Sequence, residues 1–314
     1  PVAVEDIQVN GRASNSELVI ESFEARAGSN SMRLNGRLED PLKGGGPFRL
    51  QAGADLDLAT IKDFYPIDED TLEMRGNMTA DIRLQGIVDN PQEAIEQGTI
   101  ELSGGYIAYH KLPEPVRELT MRADLQGDRI RLSNTRVVTG SNSLELSGTI
   151  ERYLSEEPVV DLQSRGTMAF SEFTDYVSME PYVNSITGTA EMNLAVRGPV
   201  MQVEQLRFNG DLNVSGVNID GDSLPQPVRN FSARMELTPE AASLKRLATD
   251  FGSSDVEISG NLVRYMAFLD EEAGPDDLPR LTGSVKSGML NFDEWIDWEA
   301  EADTTLYEYS IYLP

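Results

Sequence analysis

The stretch "GSNSLELSG" at residues 140–148 is written twice more in the same chain, as "GSNSMRLNG" at 28–36 and "GSSDVEISG" at 252–260, each copy 112 residues from the next. In every copy a glycine with small polar neighbours, suited to a tight turn, leads into alternating side chains. Leu144, Leu146 and Ile150 oppose Glu145 and Thr149, the period of two that marks a strand with one buried face. Self-similarity at a fixed, long interval decides a fold before any single element can.

Outward from this phrase the 112-residue shift holds without a gap from about residue 4 to residue 265. "PFRLQAGADLDLATIKDFY" (47–65) falls on "VVDLQSRGTMAFSEFTDYV" (159–177), and "GNMTADIRLQG" (76–86) on "GTAEMNLAVRG" (188–198). "GTIELSGGYI" (98–107) matches "GDLNVSGVNI" (210–219), and "PEPVRELTMRADL" (113–125) matches "PQPVRNFSARMEL" (225–237). The register divides the chain into the end of one unit (1–46), a full unit (47–158), another with a short insertion near 268–277 (159–278), and the start of a further unit with the chain end (279–314).

Each unit reads as five or six alternating strands separated by Gly, Asn and Pro turns. Helix is confined to one short segment per unit, "DLATIKDFY" (57–65), "FSEFTDYV" (170–177) and "FDEWIDW" (292–298), expected to pack as a one-turn plug. So little helix cannot cover so many strands. The fold class expected is all-β: an elongated, curled antiparallel sheet of repeated units that closes over its own apolar face as a groove. The alternation assigns to that face Leu50, Leu56, Met78, Ile82, Leu84, Ile100, Leu102, Met121, Leu125, Leu144 and Leu146. Their counterparts further along are Leu162, Met168, Met192, Leu194, Val196, Leu212, Val214, Met235, Leu237, Val256 and Ile258. Whether these residues line an open groove or a dry core is left open by the pattern.

Composition narrows the function. With 53 acidic against 26 basic residues and a formal charge of −27, the chain would repel a phosphate backbone, so no nucleic-acid partner is expected. There is no cysteine, which removes disulfides, thiolate metal sites and thiol chemistry. No run approaches the ~18–20 apolar residues of a membrane helix. The opening "PVAVED", without Met, suggests a piece of a longer protein whose membrane anchor would lie elsewhere.

Sites for chemistry are scarce. His110 is the only histidine, in the turn "YHKLPEP". "NIDGDS" (218–223) resembles a calcium loop but lacks the spaced ligands and terminal Glu. The acidic runs "DEDTLE" (68–73) and "DEEAGPDD" (270–277) read as solvated loops, and "KGGG" (43–46) lacks phosphate-loop spacing. The expectation is no enzyme, no metal and no cofactor.

The succession of a Pro-Val strand ("PEPVRELTMRADL"), then "GSNSLELSGTI", then "SRGTMAFSEFTDY" is similar to the AsmA-like family of Gram-negative envelope proteins, relatives of TamB and distant cousins of eukaryotic chorein-type lipid bridges. The resemblance covers most of residues 4–298. It implies a periplasmic β-groove, apolar inside, held to the inner membrane by a helix this chain lacks, that conducts phospholipid or another acyl-chain lipid and supports outer-membrane biogenesis. Carrying a ~16-carbon acyl chain through water costs on the order of 12 kcal/mol, and a continuous apolar trough removes most of that barrier without chemistry. The competing expectation is a structural or interaction module that binds envelope proteins by strand addition at an open sheet edge.

Overall fold

In a computed structural model of the chain, described for residues 4–42, 46–63, 72–88, 94–172, 183–222, 224–268, 274 and 278–294, nearly every regular element is a strand. In order these are β1 (Glu5–Ala13), β2 (Glu17–Ala27), β3 (Asn30–Glu39), β4 (Pro47–Asp57), β5 (Leu72–Ile87) and β6 (Ile95–Tyr109). Next come β7 (Val116–Gln126), β8 (Arg129–Thr139), β9 (Asn142–Glu151), β10 (Val159–Ala169) and β11 (Ser185–Pro199). The series ends with β12 (Arg207–Asp220), β13 (Val228–Leu237), β14 (Ala241–Phe251), β15 (Ser254–Val263) and β16 (Arg280–Lys286). They form one 16-stranded antiparallel sheet in strict chain order, each strand hydrogen-bonded to the one before and the one after.

The reason for strand formation is clearest in β5. Leu72, Met74, Met78, Ala80, Ile82 and Leu84 alternate with Glu73, Arg75, Asn77, Thr79, Asp81 and Arg83, and burial alternates with them, half-buried against exposed, along all 16 residues. The ladder crosses the expected unit boundaries at 46/47 and 158/159 without a break, since β3 pairs with β4 and β9 with β10 throughout.

The repeat is written into the strand positions. β2, β8 and β14 begin at Glu17, Arg129 and Ala241, and β3, β9 and β15 at Asn30, Asn142 and Ser254, in each case 112 residues apart and six strands on. β16 is displaced because the insertion precedes it, beginning at Arg280. Irregularities recur in step as well. β2, β8 and β14 carry a bulge between Ile20 and Phe23, Leu132 and Thr135, and Leu244 and Leu247. Left-handed backbone recurs at Asp40, Arg152 and Arg264, where β3, β9 and β15 end. Bulges increase local twist, so repeating them repeats the coil.

Among the described residues contacts run almost wholly between ladder neighbours, and no second sheet or helix layer covers either face. Among the described residues the fully buried apolar set is accordingly small: Ala27, Phe48, Ala94, Ala123, Leu125, Val160, Ala190, Val217 and Phe251. The chain exposes 20900 Å², well above the ~13,000 Å² typical of a compact monomer of this length. The layer curls on itself: the short helical turn Val203–Gln205, between β11 and β12, touches the turn Tyr265–Phe268 that follows β15. Among the described residues no helix is long and apolar enough to cross a membrane.

Of the expected helical plugs, the described residues hold a 3-10 turn at Leu58–Asp63, helix at 170–172 and a 3-10 turn at Phe292–Glu294, and the rest of each segment lies outside them. Local polar groups explain the first: Asp57 accepts the Ala59 N–H through its carboxylate, and the Thr60 hydroxyl donates to the Asp57 carbonyl, holding the chain in a tight turn. Phe64, Phe173, Tyr176, Trp295 and Trp298 in those segments lie outside the described residues.

Candidate functional site

Residues directly opposite in an antiparallel ladder share a face, so the register traces the apolar surface strand by strand. From Ala80 in β5 one row runs to Ala54, Met32 and Ala25 in β4, β3 and β2. In the other direction the same row continues through Ile100, Ala123, Leu132, Gly148, Leu162, Val196 and Phe208, reaching β12. A second row, beginning at Leu146, passes through Ser164, Leu194, Gly210, Leu237, Ala242, Leu262 and Leu281, reaching β16. A third joins Met168, Ala190, Val214, Ala233, Leu247, Ile258 and Val285. No ionisable side chain stands in these rows.

Every residue assigned to the groove from sequence lies on this one face. Leu50 and Leu56 are paired with Leu84 and Met78, and Ile82 with Gly98. Leu102 pairs with Met121, and Gly98 also meets Leu125. Leu144 faces Gly166 and through it Met192, which continues to Leu212 and Met235. Val256 lies opposite Thr249, beside the Leu247–Ile258 pair. Of all these only Leu125 is fully buried, and the others are half-buried. In a single layer the more shielded side is the concave one, so this face is the floor of a trough rather than a packed core.

Several floor residues escaped the sequence reading. Phe23, Leu132, Val137, Leu244 and Leu247 lie beside bulges in β2, β8 and β14, where a strict two-residue alternation loses register. In β8 Leu132 and Thr135 share the face across three residues. The asparagine in "RIRLSNTRVVT", left-handed at Asn134, is the local signal that marks the slip.

The opposite face is charged and paired across strands. Arg136 reaches Glu118 and Glu145, Arg129 reaches Glu151 at 2.6 Å, Arg229 reaches Asp220 at 2.6 Å and Lys245 reaches Glu236 at 2.7 Å. Hydrogen bonds from Arg122, Arg229 and Lys245 hold the Asp124, Asp220 and Glu236 carboxyls below their ordinary range. Such exposed pairs contribute little each. Their effect is to keep one side of the sheet wet.

The repeated phrase does more than turn the chain. The Asn142 side-chain oxygen accepts the Ala169 N–H at 2.7 Å and its amide donates to Glu172 at 2.7 Å, while Glu172 also accepts the Ser141 N–H at 2.8 Å. In the last copy Ser254 accepts the Asn291 N–H at 2.9 Å and Glu294 accepts the Ser253 N–H at 2.8 Å. In the first, Asn30 accepts the Asp57 N–H at 2.7 Å and donates to Thr60, while the Ser29 hydroxyl donates to Asp57. Each copy therefore fastens the glycine turn to the short helical segment two strands on, and a carboxylate serves the turn every time. Hydrogen bonds from Ser253 hold the Glu294 carboxyl low, and the Gly288 and Met289 N–H groups do the same for Asp255.

The remaining motifs stay apart. His110 lies in the β6–β7 turn with its ring edge-on to Tyr109, centroids 4.7 Å apart. Of "NIDGDS", Asn218 to Asp220 belong to β12, Asp220 is held by Arg229, and Asp222 accepts from Asn184 at 2.6 Å. Among the described residues no cluster of acidic, His or Cys side chains is disposed to hold a metal. Most of both acidic runs and of "KGGG" lies outside the described residues.

Fold and face together define a class: an open, repetitive β-trough, apolar on its concave side and charged on its convex side. No protein-family model, curated protein or solved structure matches the chain.

Proposed function

We propose that this chain is part of a non-enzymatic, AsmA-like lipid conduit that supports outer-membrane biogenesis, with phospholipid acyl chains lying along the concave face. In the full-length parent it would stand in the periplasm, attached to the inner membrane through an anchor outside this chain. The observation that carries the reading is the run of apolar ladder rows from β2 to β16, free of ionisable groups and, among the described residues, without a covering layer. A soluble protein rarely leaves a contiguous apolar patch of more than a few hundred Å² bare, so a surface of this extent calls for an occupant. Fourteen inter-strand steps of ~4.8 Å give a path of about 70 Å. One leaflet's acyl chains span about half of the ~30 Å hydrocarbon core, so several chains fit end to end. No single position need bind strongly, which suits passage rather than capture.

Site-specific photo-crosslinking tests this. A photoreactive residue at Met78, Leu162 or Leu237 should capture phospholipid from the cell envelope. The same residue at the neighbouring outward positions Thr79, Asp161 or Glu236 should not. Equal labelling of the two faces would reject the conduit.

A second reading rests on the sheet edges. Val9 on β1 is 66% exposed, and Leu281 and Val285 on β16 are 74% and 70% exposed, so either edge could add a strand from an envelope protein. Crosslinks from Val9 or Leu281 to protein, with none to lipid from the trough floor, would favour it.

A further inference from the structure

Two clefts open on the charged face at equivalent places in successive units, one of about 800 Å³ beside Gly36 and one of about 720 Å³ beside Gly148. In the second, both carboxylates are already taken: Asp161 accepts from Arg197 at 2.5 Å and Asp124 from Arg122 at 3.2 Å. In the first, charges of both signs stand side by side without closing on each other. Arg49 and Arg83, on β4 and β5, have no acidic partner among the described residues, and Glu39 and Glu96, on β3 and β6, have no basic one. The remaining charges of this cleft are occupied, Arg37 by Glu17 at 2.8 Å and Glu21 by Arg12 at 3.8 Å.

The ladder register spaces the four free groups. Arg49 lies directly between Arg37 and Gln85, and Arg83 between Gln51 and Gln97, so the two free guanidiniums hold diagonal places on adjacent strands, ~7–8 Å apart at the backbone. Glu96 adjoins Arg83 where the β5–β6 register shifts, and Glu39 follows Arg37 two residues on along the same side of β3. In strand order the cleft is therefore acidic at its two ends and cationic in the middle. Setting Arg49 opposite Arg37 costs stability, whereas the second unit has Asp161 opposite Thr149 at the same places.

We infer that this cleft binds a zwitterionic phosphodiester bearing a primary ammonium, with the phosphoryl oxygens between Arg49 and Arg83 and the ammonium on Glu96. A guanidinium presents a planar fork that matches two phosphoryl oxygens. Two carbons carry the ammonium of an ethanolamine ester about one inter-strand step of ~4.8 Å from the phosphoryl group, the offset between β5 and β6. A ligand without net charge suits a cleft lined by three arginines and three glutamates, and the −27 of the chain disfavours a simple polyanion. The site lies on the face opposite the trough and stands whether or not the trough carries lipid.

The test is isothermal titration of the purified chain at low ionic strength with glycerophosphoethanolamine and with glycerophosphoglycerol, a phosphodiester of similar size that lacks the ammonium. The wild type should bind the first about tenfold more tightly than the second, the worth of one charge-assisted hydrogen bond. Arg49→Gln combined with Arg83→Gln should abolish binding of both diesters without lowering the urea midpoint, since neither side chain has an ion pair to lose. Glu96→Gln should bring the two affinities together. Cosedimentation with vesicles of phosphatidylethanolamine and phosphatidylglycerol, lost in the arginine double variant, would assign the group to a lipid headgroup, and binding of the soluble diester alone would assign it to a free one. No heat from either diester, equal affinity for both in the wild type, or undiminished affinity in the arginine double variant overturns the inference.

Discussion

Gly148 shows how one residue can be required for more than its turn. Its φ of +136° lies where side-chain-bearing residues are strained, and a methyl group there would run into the Asp161 carbonyl oxygen across the ladder. Gly148→Ala is expected to cost about 2–3 kcal/mol by urea denaturation, far more than an exposed strand substitution. Titration offers a second check at this scale. Asp255 and Glu294 have folded-state pKa values depressed by the N–H groups they accept, as Asp124, Asp220 and Glu236 have by their basic partners. While both states are ionised the stabilisation is complete. Once pH falls below the unfolded carboxyl value of about 4, the unfolded chain takes up protons first, and stability drops until the folded values are passed. Denaturation midpoints should hold steady from pH 7 to about pH 5 and fall below pH 4. Asp255→Asn should flatten part of that fall. The role of the glycine phrase as a bend was legible in the sequence. Its clamp was not, because Asn142 meets Glu172 across 30 residues and only the ladder brings them together.

Among elements, stretches with unbroken alternation were readable, and those that cross the bulges of β2, β8 and β14 were not. β5, β9, β10 and β11 follow period two from end to end, so their floor residues could be named from sequence. β8 could not be assigned this way, since Leu132 and Val137 fall on one face at an odd separation with Asn134 between them. The edge strand β16 carries its own prediction. Leu281 and Val285 belong to the apolar face but, among the described residues, have a strand neighbour on one side only, in β15. Val285→Lys should reduce concentration-dependent association in light scattering and change the unfolding midpoint by less than about 0.5 kcal/mol, because little burial is lost. A large loss of stability would mean that this strand is covered in solution.

For the whole molecule, the balance of strand and helix was the informative quantity: with almost no helix and no second sheet among the described residues, the layer curls around itself. A compact globule of this length would have a radius of gyration near 20 Å. Small-angle scattering should give a clearly larger value, and a globular value would contradict the trough. The central claim, that the uncharged concave face carries acyl chains, is tested most directly by native mass spectrometry of protein purified without detergent. Wild type should retain phospholipid. Leu84→Asp combined with Val196→Asp puts a charge at corresponding places in two units, on β5 and β11, and should abolish retention while the circular dichroism of the folded sheet persists. Lipid-free wild type in every preparation, or a folded double variant that still carries lipid, would contradict the account.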